Sequence, residues 1–274
     1  YQHLSDKQSD DENLSEREKK FYYYLYPRTK EFIDEEIQKR IEKDISEKYE
    51  TDISTFETKC RIGENDSYIC SLIREDSVEE FISYVTRNSL SLSTKIKPSV
   101  YETNSFLIDK KPTLIEYASF FGSIQIIKYL KYKKVPLTFS LWPYTIHSNN
   151  SELICFLEDN EVKPDEENNL NETYKEVLKE SIKCHHNDIS NYIKDNVIEQ
   201  TSINDIDQFY NIYGSTISYS LNFEFFPEDI ISIISKSRNK NSFHLSNITF
   251  SLTKISIPSS VKSIGDYAFS KCYS

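Results

Sequence analysis

The segment "SIKCHHNDISNYI", residues 181–193, concentrates side chains that could do chemistry. It places Cys184, His185, His186 and Asp188 within five positions, and all four are ligand types that transition metals accept. Adjacent side chains do not face each other on a helix, and structural zinc usually takes spaced ligands from two loops. The other histidines, at 3, 147 and 244, have no ligand-like spacing to a cysteine. We therefore expect no metal and no cofactor here.

Nucleophilic and acid–base catalysis need groups that the chain does not pair in sequence. Cys155 lies among Leu153, Ile154, Phe156 and Leu157, a run that predicts a buried core cysteine rather than a nucleophile beside a base. The carboxylates of "EDNEVKPDEENN", 158–169, are typical of a solvated loop. We expect no enzymatic activity.

Composition excludes further classes of function. The net charge of −11 at pH 7 argues against nucleic-acid binding, because a phosphate backbone demands clustered Lys and Arg. The four glycines are too far apart to form a glycine-rich phosphate cradle. No apolar run approaches the roughly 18–20 residues of a membrane span.

The five cysteines are widely spread, odd in number and contain no CxxC pair. This pattern predicts free, mostly buried thiols in a reducing compartment rather than a disulfide framework. It favours a cytoplasmic location over the cell surface. Because methionine is absent, we also expect the chain to be a fragment of a longer protein.

Residues 1–20 are polar and are expected to be a flexible N-terminus, followed by an N-terminal helical segment at 21–65. After Pro27, apolar residues recur about every fourth position and predict one amphipathic helix; they are Phe32, Ile33, Ile37, Ile41, Ile45 and Tyr49. A membrane-surface or coiled-coil helix would show the same stripe. We expect the stripe to pack on the next domain or on a partner helix.

Three segments farther along repeat one pattern. They are "TLIEYASFFGSIQIIKYL" at 113–130, "SLWPYTIHSNNSELICFL" at 140–157 and "EVLKESIKCHHNDISNYI" at 176–193. Laid over one another without gaps, they share four columns: Ile115, Trp142, Leu178; Ser119, Ile146, Ile182; Ile126, Leu153, Ile189; and Leu130, Leu157, Ile193. Each segment predicts a helix, a tight turn and a second helix that bury their apolar face only against a neighbour. We expect Trp142 to pack in this core rather than bind a partner.

The first of these segments, 113–130, resembles an ankyrin repeat. The pattern T-P-L-H-x-A-A-x-x-G-H-x-E-(V/I)-V-x-L-L is matched by Thr113-Leu114-Ile115-Glu116-Tyr117-Ala118-Ser119, Gly122-Ser123-Ile124-Gln125-Ile126-Ile127 and Leu130. Thr113 and Glu116 can form a capping box, and Ala118 falls where neighbouring helices approach closely.

Over about 66–235 the chain resembles a divergent ankyrin-type module of protist proteins. A first unit at 68–85 lacks the glycine and the threonine cap, and a last unit at 205–235 would open its second helix at Pro227. The resemblance implies a mainly α, ankyrin-like helical solenoid over 66–240.

The histidine cluster has an explanation within this repeat pattern. The position of Gly122 is taken by Asn149 and then by His185, and Asn and His are among the non-glycine residues enriched in left-handed backbone. His186 aligns with the histidine of the family's turn. We therefore predict a positive φ at His185, and a negative value would refute the alignment.

The C-terminal segment, 241–274, has a different character. "LTKISIPSSVKSIGDYAFSKC", 252–272, resembles the I-x-I-P-x-S-V-x-x-I-G-x-x-A-F-x-x-C unit of BspA-like leucine-rich repeats; the matching residues are Pro258, Val261, Ile264, Gly265, Ala268, Phe269 and Cys272. The resemblance implies the β-containing start of a leucine-rich-repeat array, present here as a first, incomplete unit.

Both resemblances imply a non-catalytic scaffold that binds a protein partner. Candidate binding tips are a basic one in "KYKKVPLT", 131–138, and an acidic one in "KPDEENNL", 163–170; their charged residues are Lys131, Lys133, Lys134, Lys163, Asp165, Glu166 and Glu167. Ordinary solubilising loops would look the same. The alternative function is surface adhesion, in which the leucine-rich repeats bind and the helical part is a spacer.

Overall fold

The structure is a computed structural model that describes residues 16–164, 170–197, 213, 215–217, 219–220 and 222. These residues are mainly helical, as predicted, and they include no extended strand. The chain divides between Val135 and Pro136 into two compact units. The predicted repeat domain, 66–240, therefore contributes to both units. The predicted leucine-rich repeat at 241–274 lies outside the described residues.

Three helices open the first unit: α1 (Glu16–Thr29), α2 (Glu35–Tyr49) and α3 (Ile53–Ile62), with a 3₁₀ turn at Lys30–Phe32. Asp34 caps α2 by accepting from the backbone N–H of Glu36, and Asp52 caps α3 through Thr55. Because α1 begins at Glu16, helix extends into the segment 1–20 that was predicted to be flexible.

The predicted amphipathic helix after Pro27 is confirmed in part: α2 contains Ile37, Ile41, Ile45 and Tyr49, whereas Phe32 and Ile33 precede it. The chain leaves helical geometry between α1 and α2, where Ile33 is extended, and Phe32 is 76% exposed. The Asp34 side chain accepts a hydrogen bond from a nearby backbone N–H, and this stabilises Asp34 at the start of a helix rather than in its interior.

Aromatic side chains hold these first helices together. A buried cluster contains Tyr26, Ile45, Phe56, Cys60 and Tyr101. Tyr101 lies in the connection between Arg87 and Ser105. The Phe56 and Tyr101 ring centroids are 5.3 Å apart, a separation at which aromatic pairs attract beyond their area burial. The apolar stripe of α2 thus packs within its own unit.

Helix pairs make up the rest of the described chain. The first unit contains α4 (Tyr68–Arg74) with α5 (Val78–Arg87), then α6 (Ser105–Lys110), then α7 (Leu114–Phe121) with α8 (Ile124–Tyr132). The second unit contains α9 (Leu141–Ser148) with α10 (Ser151–Asp159), and α11 (Leu170–Lys183) with α12 (Asn187–Tyr192), which continues as a π-helical turn at Ile193–Val197. Like helices stack within each unit: α4 on α7, α5 on α8, and α9 on α11.

Every residue of the four predicted columns is buried, as is Ala118. The predicted Thr113–Glu116 capping box is present at the start of α7. Trp142 is 1% exposed and donates its indole N–H to the carbonyl of Val162 at 2.8 Å. These predictions are confirmed, and they show that the gapless alignment captures how the helix pairs bury their apolar faces.

The turn inside each pair has one backbone geometry. A residue one or two positions beyond the first helix is left-handed, with φ of 50° at Asp76, 71° at Gly122, 50° at Asn149 and 59° at His185. The positive φ predicted for His185 is confirmed. In three of the turns the next residue's N–H reaches back five residues to the first helix, as from Ser77 to Leu72, Ser123 to Ala118 and His186 to Ser181, which is a Schellman closure.

The exit from the second helix repeats as well. Ser89, Lys134 and Glu161 have φ of 48°, 64° and 51° after α5, α8 and α10. The residue that follows each of them donates its N–H back to the helix, as Val135 does to Leu130. In these three pairs, two left-handed residues therefore set the direction of the chain.

Side chains connect successive pairs at equivalent positions. Ser123 Oγ donates to the carbonyl of Ile73, and Asn222 Nδ2 donates to the carbonyl of Ile182 at 2.7 Å. Ile73 and Ile182 each precede the left-handed residue by three. The backbone N–H of Asn222 donates to the carbonyl of Ile217, five residues back, just as the N–H of Ser123 donates to Ala118. The same contact thus recurs in both units.

Candidate functional site

The four side chains of the histidine cluster do not converge. His185 is exposed, and its Nε2 donates to the carbonyl of Ser220 at 2.7 Å. Asp188 is exposed in the first turn of α12. His186 stands at the start of α12, and its Nδ1 is buried with no hydrogen-bond partner among the described residues. The structure thus places these side chains apart from one another rather than at one ligand position.

Cys184 belongs to a different group, which the sequence reasoning missed. Its Sγ lies 3.5 Å from Nδ1 and 3.9 Å from Nε2 of His147, and His147 Nε2 lies 3.0 Å from Oε1 of Glu180. His147 lies in the last turn of α9. Glu180 lies in the last turn of α11, and Cys184 directly follows that helix, four residues after Glu180 and on the same face. The packing of α9 on α11 brings the three side chains together.

A signal for this group was present in the alignment. The overlay of repeats puts Ser148 and Cys184 in one column and His147 in the column before. Stacked repeats bring the ends of equivalent helices side by side. Along the chain His147 and Cys184 are 37 residues apart, so their spacing in sequence did not indicate a shared site.

Burial and hydrogen bonding set the charge of this group. Burial, followed by the neighbouring Glu180 carboxylate, raises the pKa of the Cys184 thiol to about 12. Burial alone would raise the pKa of Glu180, but hydrogen bonds from His147 and Lys183 lower it. The site therefore holds a protonated thiol next to a carboxylate. Burial, followed by the proximity of His147 and His185, lowers the pKa of His186.

The arrangement resembles a Cys–His–carboxylate triad only in its contacts. A nucleophilic cysteine needs a lowered thiol pKa, and that of Cys184 is raised. What the group does offer is one sulfur, one imidazole nitrogen and one carboxylate oxygen within 4.8 Å of one another. These are the ligand atoms of a transition-metal site.

Cys155 does not join this group. It is exposed, so the prediction that it is a core residue is wrong. Leu153, Ile154 and Leu157 are the buried positions of α10. Since each residue of a helix turns by about 100°, position 155 faces away from both 153 and 157.

The basic tip is exposed as its composition suggests. Lys131, Lys133 and Lys134 are exposed around Tyr132, which is 78% exposed. The Lys133 ammonium lies 5.7 Å from the ring centroids of both Tyr129 and Tyr132, so cation–π contacts hold its side chain. Lys163 is exposed, and Asp165, Glu166 and Glu167 of the acidic tip lie outside the described residues.

A shallow depression of about 330 Å³ lies on α4 and α5 of the first unit. Tyr68 and Tyr84 form its aromatic floor at a centroid separation of 5.3 Å, and its other lining residues are Glu79, Glu80, Ser83 and Arg87. Its lining is aromatic and charged apart from Ser83.

Comparison with known proteins does not supply a family. None of the helices in the described ranges is both long and apolar enough to cross a membrane. No family model, curated protein or solved structure matches the chain.

Proposed function

We propose that the chain is a non-catalytic protein–protein interaction module, an ankyrin-like solenoid in which helix pairs are the framework and the turns between pairs are the contact surface. The recurrence of one left-handed exit between pairs, at Ser89, Lys134 and Glu161, is the observation that carries this proposal. A fold made of equivalent units presents a row of equivalent turns, and such arrays serve as extended binding surfaces.

The basic tip is the surface that we assign to partner binding. It combines three exposed lysines with an exposed tyrosine, and Tyr is among the residues enriched at interface hot spots. The chain as a whole is acidic, with a net charge of −11. A local positive patch on an acidic protein orients a partner with an acidic segment.

The test compares the full chain with the triple variant Lys131→Glu, Lys133→Glu, Lys134→Glu in proximity labelling inside cells that make the protein. The matched control is Lys39→Glu, Lys43→Glu, Lys97→Glu, which makes the same charge change at exposed lysines elsewhere in the first unit. We expect the tip variant to lose specific partners and the control to keep them. Recovery of no specific partner by the unaltered protein would refute the proposal.

Two further outcomes distinguish the alternatives. Equal labelling by both triple variants would move the contact surface away from the basic tip. Partners confined to the outer cell surface, and retained by both variants, would favour the adhesion function in which segment 241–274 binds.

A further inference from the structure

The group formed by His147, Glu180 and Cys184 has the composition of a metal site. One imidazole, one carboxylate and one thiol suit a borderline-soft ion such as Zn²⁺ or Co²⁺ and do not suit Mg²⁺ or Ca²⁺, which require oxygen ligands. His147 comes from one helix, and Glu180 and Cys184 come from the C-terminal end of another. Two of the three ligands thus share a helix face at a spacing of four, as in helical zinc motifs.

The distances are close to those of a coordination tetrahedron. Ligand bonds of about 2.0–2.3 Å place nitrogen about 3.4 Å from oxygen and about 3.6 Å from sulfur. The observed separations from His147 Nε2 are 3.0 Å to Glu180 Oε1 and 3.9 Å to Cys184 Sγ. Each of these two separations is within about 0.5 Å of its tetrahedral value, and all three ligand atoms lie within 4.8 Å of one another.

The surroundings orient the ligands. Lys183 Nζ donates to the second carboxylate oxygen of Glu180 at 3.0 Å, which leaves Oε1 directed at His147, as outer partners do in metal sites. The side chains of His147 and Glu180 are only 15% and 16% exposed. His186 interacts electrostatically with His147, and its Nδ1 atom is buried with no hydrogen-bond partner among the described residues, which is unfavourable unless a ligand or water satisfies it.

We propose that His147 Nε2, Glu180 Oε1 and Cys184 Sγ bind one divalent transition-metal ion of the zinc class, with water in the fourth position. On binding, Cys184 gives its thiol proton to the buffer and its sulfur lone pair to the ion. The ion then balances the thiolate and the carboxylate, and it joins the end of α9 to α11 within the second unit.

Cobalt is the probe, because a cobalt–thiolate bond has a charge-transfer absorption that reports the sulfur directly. The full chain is stripped with a chelator and titrated with Co²⁺. We expect one equivalent to bind with a thiolate band, and Zn²⁺ to displace it. Mg²⁺ at the same concentration should not compete.

Matched variants localise the site. Cys184→Ser should abolish the thiolate band, whereas Cys155→Ser, which alters the exposed cysteine of the same unit, should retain it. His147→Ala should weaken cobalt binding at least tenfold, whereas His185→Ala should change it less than twofold. Circular dichroism confirms that each variant is helical, and Glu180→Gln, which keeps the side-chain shape, should also weaken binding at least tenfold.

The proposal fails if the stripped chain takes up no stoichiometric Co²⁺, or if the thiolate band persists in Cys184→Ser. It also fails if the band disappears in Cys155→Ser while Cys184→Ser keeps it. None of these outcomes bears on partner binding through the basic tip, so the two proposals are tested separately.

Discussion

Single residues with left-handed backbone give the chain its most regular feature. Asp76, Gly122, Asn149 and His185 all follow a first helix at positive φ, yet only one of them is glycine. An L-residue in this conformation costs roughly 1–2 kcal/mol relative to right-handed backbone, and Asn and Asp reduce that cost through local hydrogen bonds. The helix pairs therefore tolerate a local strain that their packing outweighs.

This strain predicts opposite effects for two substitutions in one column. Gly122→Ala should lower the free energy of unfolding by about 1 kcal/mol, because the new Cβ is forced into left-handed backbone. Asn149→Gly should be neutral or should raise it by up to about 1 kcal/mol. Urea unfolding followed by circular dichroism measures both. A destabilising Asn149→Gly would show that the Asn149 side chain, rather than its backbone, is what the turn requires.

Residue-level prediction from sequence succeeded where one face of a helix decides the outcome. The four columns and Ala118 are buried, because a 3.6-residue period fixes which side chains meet the next helix. It failed for Cys155, because residues two apart on a helix face in nearly opposite directions. Cys155 is therefore exposed although Leu153 and Leu157 are buried. The sequence also predicted no turn residue for the repeat at 68–85. There Asp76 takes the left-handed conformation that glycine has in the next repeat.

At the scale of elements, α8 is capped by the helix pair before it. Ser123, at the start of α8, makes no side-chain cap to its own helix. Instead, the Asp76 carboxylate accepts from the N–H groups of Gln125 and Ile126 at 2.9 Å each. A carboxylate at this end of a helix satisfies free donors and interacts favourably with the helix dipole.

Loss of this borrowed cap should destabilise the first unit. We expect Asp76→Ala to lower the free energy of unfolding by about 1–2 kcal/mol, and Asp76→Asn to lower it by less, because the amide oxygen still accepts one bond and Asn tolerates positive φ. Chemical denaturation measures both. Asp44→Ala, at an exposed position of α2, is the control, and an equal loss there would contradict the capping role.

The candidate metal group could be anticipated from sequence only in part. Cys184 and Glu180 are visible as a pair four apart on one predicted helix face. Their third partner, His147, is separated by a whole helix and a loop, and only the register between stacked helices brings it close. Since register depends on side-chain packing, a pattern of ligand types along the chain does not reveal it.

At the scale of the whole molecule, carboxylates with opposite behaviour govern the response to pH. Hydrogen bonds from Thr55 lower the pKa of Asp52, so its contribution to stability is present at neutral pH and is lost on acidification. Burial raises the pKa of Glu102, against partial compensation by the backbone N–H groups of Asn104, Asn65 and Thr103 and by Arg74. The dependence of stability on pH is therefore the sum of these two opposed contributions and of the repulsion within a chain of net charge −11.

Comparing the unfolding free energy of Glu102→Gln with that of the unaltered protein separates the contribution of Glu102 from those of the other titrating groups. Its Oε1 accepts from the N–H of Asn104 at 2.9 Å, whereas its Oε2 is buried with no hydrogen-bond partner among the described residues. Because the folded-state pKa is raised, the folded protein binds the proton more tightly than the unfolded chain, and ionisation of Glu102 favours unfolding as pH rises above the ordinary glutamate pKa. Glu102→Gln should therefore be more stable than the unaltered protein at pH 7, and this gain should vanish below about pH 4, where both states bind the proton. Urea unfolding at several pH values measures the difference in free energy of unfolding. The control is Glu79→Gln, at an exposed glutamate of the same unit. A stabilisation by Glu102→Gln that is the same at every pH would mean that packing, and not charge, distinguishes glutamine from glutamate at position 102.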